Sequence, residues 1–254
     1  MIIQAVDHGN GFDFGKTSRI YAQFRDIYPP QLYEKLRTLG IGKAGTCWLD
    51  VGTGTGVLPL NLYTDRAKII GADISAEQIA AAKEIAAQKN AKIKWIVSPA
   101  ETLPIPDASV DFVTAAQCFW YFDRERFLAE LRRVLKPGGT FVKIYLTYSL
   151  RDPIARRSYQ MIKRMNPDWM PGSTGYRDVY THPFPNGTVD ALNCLIPFTR
   201  ESWHGRMCAC RGTMASMDAE TFRLWDERHR RMLQKFPQTF TVRHRLYIAS
   251  YRMN

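Results

Sequence analysis

The stretch TCWLDVGTGTGVLPL, residues 46–60, places three glycines directly behind an apolar run that ends in an acid. The run TCWLDV predicts a buried strand, and a helix is predicted to start at Gly56. Glycine turns the chain tightly and lets a ligand approach with no Cβ in the way, as at Gly52 and Gly54. In an open parallel sheet, ligands bind at the carboxyl ends of the strands. The stretch therefore predicts a ligand site.

Strand and helix signals alternate on both sides of this loop. The apolar segments TCWLDV, AKIIGAD, AKIKWIV, VDFVTAAQ and TFVKIYLTY predict strands. Ser75 caps a helix over SAEQIAAAKEIAAQKN, and Asp123 caps a second helix that we expect to stop at the KPGG sequence, residues 136–139. This alternation predicts an α/β fold with a doubly wound, mostly parallel sheet.

The two ends of the chain depart from the alternation. Residues 17–39 predict two short helices broken at Pro29 and Pro30. Near the C-terminus, VDALNCLIPF and TVRHRLYIASYR predict an antiparallel pair at the sheet edge, with helical segments that form a lid over the active face. Within a single domain we expect a helical cap over the cofactor site (1–44), a cofactor-binding core (45–150) and a lid or substrate region with the last two strands (151–254).

Positive charge is concentrated in the C-terminal part. The formal net charge is +11, and residues 151–254 hold 17 Lys and Arg against 9 Asp and Glu, a net of +8. Of those 17 cations, 15 are arginine, which suits bidentate recognition of carboxylate or phosphate. A plain solvated surface, an anionic small molecule and nucleic acid all remain compatible with this charge.

The N-terminal sequence and the cysteines favour a cytoplasmic protein. The segment MIIQAVDHGNGFDFGK contains Asp7 and Asp13 and lacks the basic and apolar regions of a signal peptide, and no apolar run is long enough to span a membrane. We therefore expect five reduced cysteines. Cys208 and Cys210 have no second pair or histidine cluster at zinc spacing, so no metal is expected.

The acids beside the glycine loop indicate which ligand binds. The loop lacks the Lys-Ser/Thr of a nucleoside triphosphate site, and its two-by-two glycine spacing differs from the dinucleotide fingerprint. Asp50 would repel a phosphate but attract an ammonium group. Asp73, at the end of the next strand, is placed to accept the hydroxyls of a ribose. S-adenosylmethionine has the required ribose, ammonium and sulfonium without a phosphate.

Four motifs together resemble the class I S-adenosylmethionine-dependent methyltransferases. They are LDVGTGTG, IIGADIS, SPAETLPIPDASVDFV and LRRVLKPGG, and they cover about residues 45–150. The resemblance implies a Rossmann-like, seven-stranded methyltransferase fold with an antiparallel C-terminal strand. The segments FGKTSRIYAQFRDIYPPQLYEKL and AAQCFWYFD resemble more narrowly the small-molecule group that includes trans-aconitate-type enzymes.

The same resemblance implies roles for individual residues. Those expected to bind the cofactor are Tyr21, Arg25, Asp50, Gly52, Thr53, Gly54, Gly56, Asp73, Ile74, Ala100, Glu101, Gln117 and Cys118. Among them, Asp73 binds the ribose, Ile74 flanks the adenine, and Gln117 and Cys118 face the sulfonium. Tyr21 and Arg25 close over the site from the N-terminal helix.

The sequence says less about the acceptor. Candidates for substrate contacts are Trp120, Tyr121, His182, His204 and Arg206. Trp120-Tyr121 stands where the trans-aconitate-like relatives often carry His-Trp, so no residue is assigned as a catalytic base. A carboxylate nucleophile needs none, whereas a phenol, an amine or an acidic carbon usually does. We expect a small, anionic or aromatic acceptor.

Three other functions stay open at this point. RNA or another macromolecule is a second class of acceptor that the basic charge permits, although nucleic acid is not the expected partner and no added RNA-binding module is present. A non-catalytic subunit that binds S-adenosylmethionine is the third possibility. An NAD enzyme is disfavoured by Asp50 and by the glycine spacing. The atom methylated and the oligomeric state are not predicted.

Overall fold

A computed structural model of the chain describes residues 2–3, 6–170, 184 and 187–253. It contains a seven-stranded sheet with the strand order β3-β2-β1-β4-β5-β7-β6. The strands are β1 Cys47–Val51, β2 Lys68–Asp73, β3 Lys94–Val97, β4 Val110–Ala116, β5 Leu135–Tyr148, β6 Thr188–Thr199 and β7 Thr239–Arg252. The pairs β1–β2, β1–β4, β2–β3 and β4–β5 are parallel. The predicted mostly parallel seven-stranded sheet with antiparallel C-terminal strands is confirmed.

Eight α-helices lie in the described part of the chain. They are α1 Ser18–Phe24, α2 Pro30–Leu39, α3 Val57–Asn61, α4 Ala76–Gln88, α5 Arg124–Val134, α6 Pro153–Met165, α7 Arg200–Cys208 and α8 Ala219–Leu233. The predicted caps are present, since Ser75 Oγ accepts the Gln78 amide and Asp123 Oδ1 accepts the Arg126 amide. None of the described helices has the length and apolar character needed to cross a membrane.

The predicted end of α5 agrees with the structure, but the predicted start of the next strand is wrong. Helix α5 ends at Val134, just before the KPGG sequence, and β5 begins at Leu135 instead of at residue 140. Gly138 has a positive φ of 76°, and the pairing of β5 with β4 shifts register beside Val110. The proline and the glycines therefore form an irregular beginning of the strand.

The chain divides into two compact units. The core unit consists of Tyr28–Tyr145, Gly175–Ala191 and Leu246–Asn254. Its centre is a cluster of buried side chains from β1, β4, β5, α5 and the end of β7, which includes Leu49 and Phe141. Strands β1 and β4 are buried because their apolar residues face packed layers on both sides, as expected for parallel strands.

The second unit consists of Met1–Ile27, Leu146–Thr174 and Leu192–Arg245. Two tryptophans on α7 and α8, Trp203 and Trp225, are fully buried in it. Here Arg211 forms a buried ion pair with Asp7, whose other oxygen accepts the Met170 amide over 2.5 Å. The predicted functional division at residues 44 and 150 stays a prediction.

Candidate functional site

The glycine loop follows β1 and leads into α3. Gly52, Gly54 and Gly56 have positive φ values of 60°, 57° and 78°, which side-chain-bearing residues rarely adopt. The Thr53 amide donates to Ala72 O over 3.0 Å, which ties the loop to the neighbouring strand β2. The loop thus curves at the carboxyl end of β1.

Close packing is a second reason why two of these positions require glycine. A Cβ atom on Gly52 would lie 2.6 Å from Cys118 Sγ, and one on Gly56 would collide with the Trp95 ring. Cys118 is buried and its thiol donates to Val51 O over 3.2 Å. The structure therefore places Cys118 against the loop. Its predicted contact with the sulfonium stays a prediction.

Asp50 lies at the carboxyl end of β1 with only 2% of its surface exposed. Thr53 Oγ1 donates to its Oδ2 over 2.7 Å, and Thr114 Oγ1 donates to its Oδ1 over 2.5 Å. Burial raises the pKa of Asp50 to about 7, with the carboxylate of Asp73 adding to the effect. Through its hydrogen bond with Thr53, Asp50 helps to fix the conformation of the glycine loop. A nearby cation would favour the charged form of Asp50.

Asp73 ends β2 and connects to the same loop. Its Oδ2 accepts the Gly54 amide over 2.8 Å, and its Oδ1 accepts the Ser75 amide over 2.9 Å. Burial raises the pKa of Asp73, although these amides oppose the shift. Each oxygen keeps a lone pair for a hydroxyl donor. The next residue, Ile74, is 54% exposed, so an apolar surface stands beside the carboxylate.

The segments after β3 and β4 supply the remaining predicted cofactor residues. Ala100 is buried, and Glu101 Oε1 accepts the Asp123 amide over 2.8 Å, so Glu101 is fixed by the start of α5. Gln117 has a φ of 63°, a strained value for this residue, and its amide donates to Ile144 O. These residues follow β3 and β4 on the core unit, as predicted.

Trp120 and Tyr121 lie in a short 3-10 turn, Phe119–Tyr121, after β4. The Trp120 ring stacks on Tyr145 with ring centroids 5.0 Å apart. Its Nε1–H is buried and has no hydrogen-bond partner among the residues that the structure describes. An indole N–H in this situation lacks the acceptor that buried polar groups normally have. The predicted substrate contact of Trp120 stays a prediction.

Arg206 lies on α7 in the second unit and is 3% exposed. Its guanidinium carbon lies 4.8 Å from the Tyr148 ring centroid and 5.3 Å from that of Trp203. Its Nη1 donates to sulfur atoms of Met207 and Cys210 over 3.5 Å. Within the described ranges no carboxylate forms an ion pair with Arg206, and its Nε has no hydrogen-bond partner.

Tyr21 and Arg25 belong to the same unit as Arg206. The Arg25 guanidinium carbon lies 4.9 Å from the Tyr21 ring centroid. Burial lowers the pKa of Arg206, and the positive charge of Arg25 lowers it further. The positive charge of Arg25 is therefore felt at the buried guanidinium of Arg206. The predicted closure of Tyr21 and Arg25 over the cofactor stays a prediction.

The two histidine candidates have different outcomes. His182 lies outside the described residues. His204 is buried on α7, where its Nε2 lies 2.7 Å from Asp226 Oδ1 and its Nδ1 lies 2.7 Å from His229 Nδ1. Burial lowers the pKa of His204, against the opposing effect of Asp226. Each ring nitrogen thus lies within 2.7 Å of a polar side-chain atom of the second unit.

Sequence reasoning missed several partners of these residues. Tyr148 comes from the segment Leu146–Thr174 of the second unit, whereas Cys210, Asp226 and His229 come from Leu192–Arg245. Only the spacing of His204 and Cys208, four positions apart on a predicted helix, was visible as a signal. The core unit, by contrast, brings together the predicted residues from Asp50 to Cys118 at the ends of β1 to β4.

Comparison with known proteins supports the assignment of the core. Residues 49–143 match the family described as “Methyltransferase domain”. An uncharacterized methyltransferase of Schizosaccharomyces pombe is 32% identical over 149 residues, which are 57% of this chain and 56% of the relative. A demethylmenaquinone methyltransferase of Thermus thermophilus is 39% identical over 107 residues, 41% of this chain and 49% of the relative. The chain thus spans about half the length of these curated relatives.

A solved structure matches over a greater length. It is described as a “putative type II methyltransferase” from Anaeromyxobacter dehalogenans, with 26% identity and a TM-score of 0.61. The match covers 90% of this chain and 97% of the other. The similarity therefore includes the second unit as well as the glycine loop.

Proposed function

Because residues 49–143 are a class I methyltransferase domain with S-adenosylmethionine as its cofactor, we propose that the whole protein transfers a methyl group to a small anionic acceptor. The observation that carries the choice of acceptor is Arg206, a buried cation with no carboxylate partner among the described residues. Methyl transfer from a sulfonium is an in-line displacement, so positioning of the acceptor supplies much of the catalysis.

The core unit fits this cofactor. The loop at Gly52 and Gly56 has no room for additional side-chain atoms at its packed side, so its backbone is held in a fixed curve. Asp73 accepts the ribose hydroxyls through its free lone pairs, and Ile74 offers an apolar face to the adenine. The buried carboxylate of Asp50 favours the positively charged methionine end. When bound, the cofactor supplies the activated methyl group.

Arg206 is suited to recognise a carboxylate or another planar anion. An isolated buried charge is costly, and a bound anion offsets that cost. Guanidinium groups bind carboxylates through two parallel hydrogen bonds, and its unpartnered Nε is one of the required donors. The rings of Tyr148 and Trp203 restrict its orientation. A carboxylate acceptor is also consistent with the absence of an assigned catalytic base.

A small carboxylic acid of the trans-aconitate type is the finer form of the proposal. It rests on the resemblance of the N-terminal segment and of AAQCFWYFD to that group of enzymes, together with Arg206. Methylation of a carboxylate oxygen forms an O–CH3 bond and breaks the S–CH3 bond of the sulfonium.

The experiment is a methyl-transfer assay with labelled S-adenosylmethionine and a panel of acceptors. The panel contains small di- and tricarboxylates, phenols, phosphate monoesters and transfer RNA. We expect turnover with a carboxylate, and Arg206→Met should raise its KM by about 10- to 100-fold, the range for losing a hydrogen bond to a charged group. Arg206→Lys keeps the positive charge but lacks the planar guanidinium group. Its KM should therefore lie between those of the wild type and Arg206→Met.

Three outcomes would overturn the proposal. Turnover restricted to RNA, with affinity that falls steeply with salt, would identify a macromolecular acceptor. Tight cofactor binding with no turnover on any acceptor would identify a non-catalytic subunit. An unchanged carboxylate KM in Arg206→Met would keep the methyltransferase activity but remove Arg206 from substrate recognition.

A further inference from the structure

Three side chains of the second unit converge away from Arg206. His204 and Cys208 lie one helical turn apart on α7, and Asp226 lies on α8. His204 Nε2 is 2.7 Å from Asp226 Oδ1 and 3.3 Å from Cys208 Sγ. One nitrogen, one sulfur and one oxygen thus lie within 4.8 Å of one another. None of them is needed for the proposed methyl transfer.

When Ser158 donates its proton to Ile154 O, the hydrogen bonds around His204 assign a proton to one of its nitrogens. Ser158 Oγ donates to Ile154 O over 3.0 Å and accepts the Trp203 Nε1–H over 3.0 Å. Since a hydroxyl has one proton, Ser158 also accepts from His229 Nε2, 2.8 Å away. The other nitrogen of a neutral His229 is then an acceptor, and it receives the proton of His204 Nδ1 over 2.7 Å.

This arrangement leaves a lone pair on Nε2 of a neutral His204, directed at a carboxylate oxygen 2.7 Å away. Two acceptors at that distance repel each other unless a cation lies between them. The thiol sulfur of Cys208 faces the same nitrogen. We propose that His204, Cys208 and Asp226 bind a divalent metal ion of the zinc type. This inference does not rest on the proposed function.

The ligand set and its surroundings match such an ion. Zinc accepts imidazole nitrogen, thiolate sulfur and carboxylate oxygen, and three protein ligands leave a fourth position for water. Metal-bound histidines and carboxylates are usually held by outer hydrogen bonds. Here His229 holds the outer nitrogen of His204, and Arg230 Nε donates to Asp226 Oδ2 over 2.9 Å. Trp225 stacks on the His204 ring at 5.5 Å.

The partial exposure of Asp226 gives the ion an entry route, and the position of the cluster between two helices suggests a structural role. The side chains of His204 and Asp226 are 4% and 30% exposed, so solvent reaches the cluster from the Asp226 side. A bound ion would join α7 to α8 through one coordination centre. The sequence expectation of no metal considered only Cys208 and Cys210 as neighbours, and Asp226 lies too far along the chain to be associated with them.

The test uses the full-length protein, stripped with a chelator and titrated with Zn²⁺ and with Co²⁺. We expect one tightly bound ion per chain, and Co²⁺ should show a thiolate-to-metal charge-transfer band together with the visible bands of tetrahedral coordination. Cys208→Ser should remove the charge-transfer band. Asp226→Asn should lower Zn²⁺ affinity by more than the roughly 100-fold that losing an outer partner can cost.

Cys210→Ser is the matched control, because it removes a thiol from the same segment without touching the cluster, and it should keep wild-type metal binding. If Cys208→Ser fails to fold, the wild-type Co²⁺ spectrum and the Zn²⁺ affinity of Asp226→Asn still test the proposal. The proposal is overturned if stripped wild-type protein binds no stoichiometric ion and nitrogen NMR shows both ring nitrogens of His204 protonated, because a proton is then the shared cation. Wild-type affinity in both variants would overturn it equally.

Discussion

Asp50 of the core unit and Arg206 and Arg211 of the second unit are all buried, but their charges are compensated differently. Asp50 and Asp73 accept hydrogen bonds from hydroxyls and amides. Arg211 is paired with a full negative charge on Asp7, whereas among the described residues Arg206 contacts sulfur atoms and aromatic faces but no carboxylate. Charges compensated only by dipoles are free to accept an opposite charge from a ligand. The proposed function therefore makes Arg206 a binding group and leaves Arg211 a structural one.

The largest expected effect tests that contrast directly. Arg211→Met leaves Asp7 buried without its charged partner and should lower the free energy of unfolding by about 3–5 kcal/mol. Arg206→Met removes an uncompensated buried cation and should leave the free energy of unfolding unchanged or raise it by about 1–2 kcal/mol. Urea unfolding of both variants measures the difference. Equal losses would mean that Arg206 is as structural as Arg211.

The glycine loop offers a second comparison, between backbone strain and collision. Gly56→Ala places a Cβ against Trp95 at a φ of +78°, and we expect a loss of about 3 kcal/mol in the free energy of unfolding from strain and overpacking together. Gly45→Ala is the matched control, because Gly45 has a φ of +77° but no atom within 4 Å of the added Cβ. It should lose about 1 kcal/mol. Similar losses in the two variants would exclude the collision.

The two units also differ in how far the sequence predicted them. The core site was predictable because its parts are local: an apolar strand, the glycines that follow it, and Asp73 at the end of the next strand. Parallel strands bring these ends to one edge of the sheet without further information. The clusters of the second unit join segments far apart in sequence, such as Asp226 and His204, and no periodic pattern encodes which helices face each other.

The start of β5 was mispredicted for a related reason. Helix α5 ends before Pro137 as expected, but the strand predicted to start at residue 140 already begins at Leu135, opposite Val110. Pairing with β4 is a tertiary interaction, and it overrides the local signal. Arg206 was named from the sequence as a candidate for substrate contacts because of the arginine excess, whereas its burial and its lack of a carboxylate partner among the described residues come from the fold.

A smaller effect tests the role of Asp73 at the cofactor. Asp73→Asn cannot accept both the Gly54 and the Ser75 amides, and it loses the charge that attracts ribose hydroxyls. We expect the affinity for S-adenosylhomocysteine to fall by about 10- to 100-fold, measured by calorimetry. Glu77→Gln is the control, since it removes an exposed carboxylate that accepts a hydrogen bond from the hydroxyl of Ser75, two residues before it. Equal losses would point to long-range charge instead of contact.

The smallest expected effect concerns pH and distinguishes the buried acid of the core from the buried histidines of the second unit. Asp50 has a pKa of about 7 in the folded protein and an ordinary one of 3.8 when unfolded, so between these values only the folded state holds the proton. Stability from Asp50 therefore falls as pH rises, by about 1–2 kcal/mol between about pH 5 and 7. His229, with its pKa lowered to about 3 by burial, acts oppositely, because below about pH 6.5 the unfolded state binds the proton. Asp50→Asn should thus make stability rise more steeply from about pH 5 to 7 than in the wild type, as followed by urea unfolding. Parallel pH profiles of the two proteins would show that Asp50 is already ionised in the folded state, held by the hydroxyls of Thr53 and Thr114 alone.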